Sequence, residues 1–126
     1  MPYEAGKVLK GPPNSGIFVF PDNSSEGTLE KVLLNCAKRV YPNLLAGAET
    51  LVAELNLDRL SKEDKRDLIK ASGKDKVTVG CVGNVLRPGK AIQVSIQDNK
   101  WVSRRTLNLP EVATFNDFLK GLFNLV

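Results

Sequence analysis

The stretch GIFVFPDNSSEGTLEKVLLNCAKRV, residues 16–40, decides the fold because it places an apolar run before a polar loop and an amphipathic segment. The run GIFVF (16–20) is β-branched and aromatic without a break, a pattern typical of a strand covered on both faces in a parallel sheet. Pro21 ends this run. The stretch therefore predicts a buried strand, a short loop and a helix, with any functional site at the loop around Asp22.

The polar loop supplies start signals for the helix that follows it. Ser24 or Ser25 can cap the first turn, and Glu26 and Glu30 place negative charge in that turn or near it. After the loop, apolar residues recur at the spacing of one helix face and stop near Tyr41-Pro42. The residues on this face are Leu29, Val32, Leu33, Cys36, Ala37 and Val40.

Two further helices are predicted after the first. One covers residues 42–55 and has Pro42 at its first position, where proline is well tolerated. The next covers residues 61–71 and begins with Ser61 and Asp64, which match an S-x-x-D capping box.

The rest of the chain is less regular. In KVTVGCVGNVLRPG (76–89) the alternation of Val and Thr favours a strand, whereas the apolar residues also form a helical stripe. AIQVSI (91–96) fits a short strand or a short helix, and both alternatives stay open. WVSRRTL (101–107) fits an edge strand. The last segment, FNDFLKGLF (115–123), predicts a strongly apolar helix that Thr114 caps.

Length and composition bound the class of protein. The chain has 126 residues, of which 42% are hydrophobic and 25% are charged, the balance of one globular domain. Residues 1–15 have no period and predict an irregular arm, which leaves residues 16–126 as a single domain. No apolar run reaches the roughly 20 residues that a membrane span needs, and no signal peptide is visible. We therefore expect a cytoplasmic protein without membrane contact.

Few side chains are available for catalysis or metal binding. The chain has no histidine and only two cysteines, Cys36 and Cys81, which form no CxxC pair. A serine or cysteine nucleophile would therefore have no imidazole base, and neither a structural zinc site nor a disulfide framework is supported. Carboxylates would have to bind any metal ion, which indicates magnesium, manganese or calcium.

Oxygen ligands crowd the loop at Asp22. Asp22, Glu26 and Glu30 are candidate ligands for Mg²⁺ or Mn²⁺, and a bound cation would orient a phosphate or lower the pKa of a water molecule. Asp, Asn and Ser between a strand and a helix are also ordinary turn and capping residues, which is the more frequent explanation. Glu30 is either a site residue or a solvated acid of the first helical turn.

The chain is mildly basic, with a net charge of +4 and a pI near 9.2. Such a balance can support contact with phosphate groups. Arg104 and Arg105 beside Trp101 are the only grouping of basic and aromatic residues, and they are predicted to contact nucleic acid. Most other lysines alternate with acids, as in residues 61–70, a pattern typical of a solvated surface.

The run from Gly16 to Glu30, G-I-F-V-F-P-D-N-x-x-x-G-x-L-E, resembles the Pro-Asp-Asn…Gly-x-Leu-Glu signature of an uncharacterised family of prokaryotic proteins with a Toprim-like, topoisomerase–primase-type fold. The resemblance implies an α/β fold: a partial Toprim-like (Rossmann-like) three-layer core with a small, mainly parallel sheet and several helices. It implies that Asp22 and Glu30 are catalytic residues beside the Toprim metal site. It also implies that residues 77–86 are helical.

The sequence departs from the Toprim pattern, because the early Glu-Gly and Asp-x-Asp motifs do not appear ahead of Gly16. The chain thus resembles the carboxyl-terminal portion of such a domain. Two functions stay open. One is magnesium-dependent phosphotransfer or nuclease-type chemistry on nucleic acid. The other is a non-catalytic module that binds nucleic acid or protein, with a second copy or a partner chain completing the sheet and the acidic site.

Overall fold

The computed structural model describes residues 4–24 and 26–124, and the fold of this part of the chain is carried by five α-helices. The elements in chain order are β1 (Val8–Leu9), β2 (Ser15–Gly16), α1 (Leu29–Val40), α2 (Pro42–Ala53), a 3-10 turn (Leu57–Arg59), α3 (Gly73–Leu86), α4 (Ile92–Asp98) and α5 (Pro110–Leu122). No helix in the described ranges is long and apolar enough to cross a membrane.

The predicted fold class, α/β with a three-layer Toprim-like core and a mainly parallel sheet, is wrong. Within the described residues the sheet has only two strands, β1 and β2, and they pair antiparallel. Val8 lies opposite Gly16, and Leu9 lies opposite Ser15. A parallel sheet needs crossover connections between its strands, whereas these two strands are joined by a short hairpin.

The buried strand predicted at residues 16–20 is wrong, because β2 ends at Gly16 and residues 17–20 are not part of a strand. This segment is covered on one side rather than on both. The rings that cover this side have their centroids 5.0–5.4 Å apart and belong to Phe18, Phe20, Phe115 and Phe118. The alternate residues, Ile17 and Val19, are 47% and 51% exposed. An unbroken apolar run does not show whether its second face is covered, and here no second layer covers it within the described part of the chain.

The core lies between α1, α2 and α3, which contact one another pairwise, while α4 packs against α3. It is built mostly from small and branched side chains, which allow the helices to approach closely. The buried members of this core are Val32, Cys36, Ala37, Leu45, Ala48, Val79, Val82, Trp101 and Val112.

The two helices predicted after the loop are confirmed as α1 and α2. The cap of α1 differs from the prediction, because Thr28 rather than Ser24 precedes its first turn. The Oγ1 of Thr28 accepts a hydrogen bond from the N–H of Lys31 at 3.3 Å. The alternative cap, Ser25, lies outside the described residues. Pro42 occupies the first turn of α2 as expected.

Residues 61–72 form a series of turns instead of the predicted third helix. The expected capping contact is present, since the Oγ of Ser61 accepts a hydrogen bond from the N–H of Asp64 at 3.0 Å. Ile69 in this segment is 61% exposed, so little apolar burial stabilises a helix there. A capping box alone is therefore not sufficient evidence for a helix at residues 61–71.

The two ambiguous segments are helical and form α3 and α4. Val79, Val82 and Gly83 of α3 are buried, and this packing outweighs the β propensity of its valines. Residues 101–107 form turns rather than an edge strand. Thr106 holds these turns, because its Oγ1 donates to the carbonyl of Trp101 at 2.9 Å.

The apolar helix α5 is confirmed, but it begins at Pro110 and not after Thr114. The hydroxyl of Thr114 instead donates to the carbonyl of Pro110 inside the first turn, at 2.8 Å.

The N-terminal segment, expected as an irregular arm, attaches to the other end of α5. Lys10 donates to the carbonyl of Gly121 and Asn14 donates to that of Leu122, each at 3.2 Å.

Candidate functional site

The loop at Asp22 is held by its own side chains. The Oδ1 of Asp22 accepts a hydrogen bond from the N–H of Ser24 at 3.1 Å, which closes an Asx turn. Asn23 has a φ of +73°, in the left-handed region that asparagine tolerates. The Oδ1 of Asn23 accepts from the N–H of Val19 at 2.9 Å, and its own N–H donates to the carbonyl of Val19 at 2.7 Å. These contacts are those of turn-forming residues.

Glu30 is paired with Lys76, which joins the first turn of α1 to the first turn of α3. The side chain of Glu30 is only 19% exposed. The hydrogen bond from Lys76 is the main cause that lowers the pKa of Glu30 below its ordinary value of 4.5. A second ion pair lies beside it, with 3.0 Å between the Nζ of Lys31 and the Oδ2 of Asp75. Glu30 thus has a structural partner at the position where a metal ligand was predicted.

Asp22, Glu26 and Glu30 were the predicted metal ligands. Among residues 4–24 and 26–124, no three histidine, cysteine, aspartate or glutamate side chains are grouped so that they could hold a metal ion. Glu26 is exposed, whereas Asp22 and Glu30 are partly buried and hydrogen-bonded. The roles of these residues in Mg²⁺ or Mn²⁺ binding, and of Asp22 and Glu30 in catalysis, stay predictions.

Trp101 was predicted to contact nucleic acid, and the structure places it in the core with 0% of its surface exposed. Its indole ring therefore presents no face on which a base could stack in this conformation. Its Nε1 has no hydrogen-bond partner in the part of the chain that the structure describes. The neighbouring Arg104 and Arg105 differ from it, because both are exposed.

Arg39 of α1 and Arg105 lie together although 66 residues separate them in the chain. The Nη1 of Arg39 donates to the carbonyl of Arg105 and to the Oδ1 of Asn108, each at 3.2 Å. The Nη2 of Arg105 donates to the carbonyl of Arg39 at 3.4 Å. Each guanidinium is thus held against the backbone of the other segment. Within the described ranges neither of them forms an ion pair with a carboxylate.

Lys38 and Arg104 are the sequence neighbours of this pair, and we call Lys38, Arg39, Arg104 and Arg105 the basic cluster. Lys38 and Arg39 line a surface pocket of about 470 Å³ that reaches the start of α5 at Pro110. No side chain caps this end of α5, so its first N–H groups add partial positive charge. Glu111 opposes this charge from the same pocket, where its Oε1 accepts a hydrogen bond from Asn35 at 3.3 Å.

The sequence indicated half of the basic cluster. Arg104 and Arg105 were found because they are adjacent to each other and follow an aromatic residue, Trp101, by three and four positions. Lys38 and Arg39 were missed, because basic residues in the last turn of a helix are expected from the helix dipole alone. No local signal shows that this turn lies beside residue 105, since the contact is a product of tertiary packing.

Comparison with known proteins gives one finding about the whole chain. The model of a family described as "Protein of unknown function (DUF3226)" matches residues 1–124. No curated protein and no solved structure matches the chain.

Proposed function

Since the chain belongs to the DUF3226 family, whose description names no activity, we propose from the geometry that it is a non-catalytic module that binds nucleic acid. The basic cluster makes the contacts, and they are directed to phosphate groups. The observation that carries the proposal is the reciprocal attachment of Arg39 and Arg105, in which each guanidinium donates to the backbone carbonyl of the other residue, so that two arginines from distant parts of the chain meet at one surface.

Positive charges held on one surface repel each other, and a bound anion relieves that repulsion. The hydrogen bonds of Arg39 and Arg105 go to neutral oxygens, which leaves both charges without a carboxylate partner in the described part of the chain. Phosphate groups along this surface would relieve this repulsion and accept hydrogen bonds from the arginine side chains.

The arrangement also favours binding through conformational entropy. An arginine on a free surface loses rotamer freedom when it binds, at a cost of about 0.5–1.5 kcal/mol. Arg39 and Arg105 are already held by three hydrogen bonds between them and their neighbours. Part of this cost has therefore been met in folding, before a ligand arrives.

The non-catalytic part of the proposal is supported by the state of the acidic residues. Glu30 is held by Lys76, and Asp22 holds the turn at Ser24. A hydrolytic site would need these carboxylates to converge on a metal ion or a water molecule. Phosphate contacts made by arginine and lysine carry no sequence information, so we expect binding that is independent of base sequence.

The test is fluorescence anisotropy with labelled duplex DNA, single-stranded DNA and RNA over a range of salt concentrations. We expect the affinity to fall steeply with salt, and the double variant Arg39→Ala/Arg105→Ala to weaken binding at least about 10-fold at low salt. Each lost phosphate contact should reduce the slope of log K against log salt by about 1.

Arg59→Ala is the control, because it removes one positive charge at an exposed residue outside the basic cluster. This variant should change the affinity by less than about 3-fold, since only long-range attraction is altered. An equal loss in the control and the double variant would contradict the proposal, as would a wild-type chain that binds none of the three nucleic acids at low salt.

A further inference from the structure

The pocket beside the basic cluster contains side chains of both charges. It lies between α1 and the start of α5, and we call it the α1–α5 pocket. Its lining residues are Asn35, Lys38, Arg39, Leu109, Pro110 and Glu111. The two cations belong to α1 and the acid belongs to α5. Within residues 4–24 and 26–124, Glu111 forms no ion pair with Lys38 or Arg39. The pocket therefore offers a carboxylate and two cations that do not neutralise each other by direct contact.

The carboxylate of Glu111 makes this pocket a poor site for the backbone of a duplex. A duplex presents its phosphates on the outside, and a phosphate beside Glu111 would be repelled by it. A hydrogen-bond donor at the same place would be attracted, because a carboxylate is an acceptor only. The lining thus suits a ligand that has an anionic group and N–H donors close together. A nucleotide whose base is unpaired has both.

Glu111 can distinguish an unpaired base from a paired one. Every base has at least one N–H donor on its Watson–Crick edge, and in a duplex that edge faces the partner base. The Oε1 of Glu111 accepts a hydrogen bond from Asn35 at 3.3 Å, which orients the carboxylate. A carboxylate has about four acceptor positions, so this bond leaves room for a base N–H. Since all bases supply such a donor, the contact selects single strands without selecting a sequence.

The size and the apolar part of the pocket fit one nucleotide. Its volume of about 470 Å³ lies within the range of roughly 300–1,000 Å³ that is typical of small-ligand sites. Leu109 and Pro110 supply apolar atoms in the lining, against which the face of an unstacked base can pack. The pocket therefore combines the three kinds of contact that an unpaired nucleotide needs, for its phosphate, its base edge and its base face.

We propose that the α1–α5 pocket binds one unpaired nucleotide, so that the chain prefers single-stranded nucleic acid to a duplex. Lys38 and Arg39 contact the phosphate, and Glu111 accepts a hydrogen bond from the base. This inference rests on the proposed function and adds the class of nucleic acid to it. A surface that reads charge alone would show the opposite preference, because a duplex has the higher charge density.

Fluorescence anisotropy with three labelled ligands of equal phosphate number tests the preference. The ligands are an unstructured single strand, a hairpin that is fully paired apart from its loop, and a strand made of abasic sites. We expect the wild type to bind the single strand at least about 10-fold more tightly than the other two, the effect of one hydrogen bond to a charged group. The abasic strand separates the contact with the base from the contact with a flexible backbone.

Glu111→Ala tests the role of the carboxylate. It should weaken binding of the single strand but not of the hairpin, because it removes the acceptor for the base and also a charge that repels phosphate. The ratio of the two affinities should fall below about 3. Asp117→Ala is the matched control, since it removes an exposed acid of the same helix outside the pocket. This variant should keep the ratio of the wild type.

Three results would overturn the inference. One is a hairpin or an abasic strand that binds as tightly as the single strand, and another is a preference that survives Glu111→Ala. The third is a preference that Asp117→Ala reduces equally. In each case binding that still depends on Arg39 and Arg105 would keep the proposed function intact. A wild type that binds none of the three ligands would contradict both. A loss caused by misfolding of Glu111→Ala would weaken the binding of all ligands together, and circular dichroism would detect it.

Discussion

The sequence pattern around Asp22 is compatible with two different structural roles. A loop with Asp, Asn and Ser before a helix predicts either oxygen ligands for a cation or a self-contained turn. In the structure Asp22 accepts the N–H of Ser24 at 3.1 Å, which is the geometry of the turn. The pattern located the residue correctly within a loop before α1, but the choice between the two roles depends on which groups surround it in three dimensions.

We predict that Asp22→Ala lowers the free energy of unfolding by about 0.5–2 kcal/mol, the range for losing a capping side chain. The loss should be the same with and without Mg²⁺ or Mn²⁺, because it comes from the turn. Thermal denaturation of both proteins over a metal titration measures this. Asp22→Asn is the control, since an amide oxygen can still accept from Ser24. A metal-dependent rise of Tm in the wild type that both Asp22→Ala and Asp22→Asn reduce or abolish would instead support the metal site predicted from the sequence.

At the scale of elements, two ion pairs join the starts of α1 and α3. Each helix contributes one acid and one base, in the pairs Glu30–Lys76 and Lys31–Asp75. The acids lie in first turns, where the helix dipole favours negative charge, and each lysine offsets the acid of the other helix. The sequence predicted the acid of α1 as a first-turn residue, but the partner helix was ambiguous, so the pairing was not predictable.

The Glu30–Lys76 pair makes part of the stability depend on pH. The pKa of Glu30 is lowered in the folded chain, mainly by Lys76, so this contribution is complete above the ordinary value of 4.5. It is lost as the pH falls below 4.5 and through the lowered pKa, because the unfolded chain then binds a proton more readily than the folded one. Lys76 is 60% exposed and solvent screens the pair, so we expect a contribution of no more than about 1 kcal/mol.

Urea denaturation at neutral pH and near pH 3 measures this effect. Glu30→Gln should be less stable than the wild type at neutral pH, and the difference should diminish or vanish at the acidic pH. Lys76→Met should behave in the same way, and the double variant should show that the two losses are not additive. A stability difference between Glu30→Gln and the wild type that is equal at both pH values would contradict the assignment.

At the scale of the whole molecule, periodicity predicted the helices that have one clear apolar face. α1, α2 and α5 were found in this way. For α3 the sequence did not decide between helix and strand, because its valines and threonine alternate as in a strand. Only burial against α1 and α2 selects the helix. The prediction from residues 16–20 gave the wrong fold class. The sequence shows that these residues are apolar, but it does not show which other residues pack against them.

Trp101 connects these helices and should report on the whole chain. It is fully buried in a core that includes residues of α1, α2, α3 and α5. We therefore predict a blue-shifted tryptophan emission that iodide does not quench, and an unfolding transition by fluorescence that coincides with the one by circular dichroism. Saturating nucleic acid should leave the emission unchanged. Quenching by nucleic acid would contradict the buried position and restore the predicted contact at Trp101.

The hydrogen bonds between Asn23 and Val19 also bear on aggregation. An exposed apolar strand edge is a template on which other chains can add strands. The N–H and C=O of one residue in an extended segment point to the same side, and at Val19 both are already bonded to Asn23. A strand arriving there would find the hydrogen-bonding positions occupied. We therefore expect the loop to hinder intermolecular β-pairing at the exposed Ile17 and Val19, because its turn occupies the hydrogen-bonding groups of Val19.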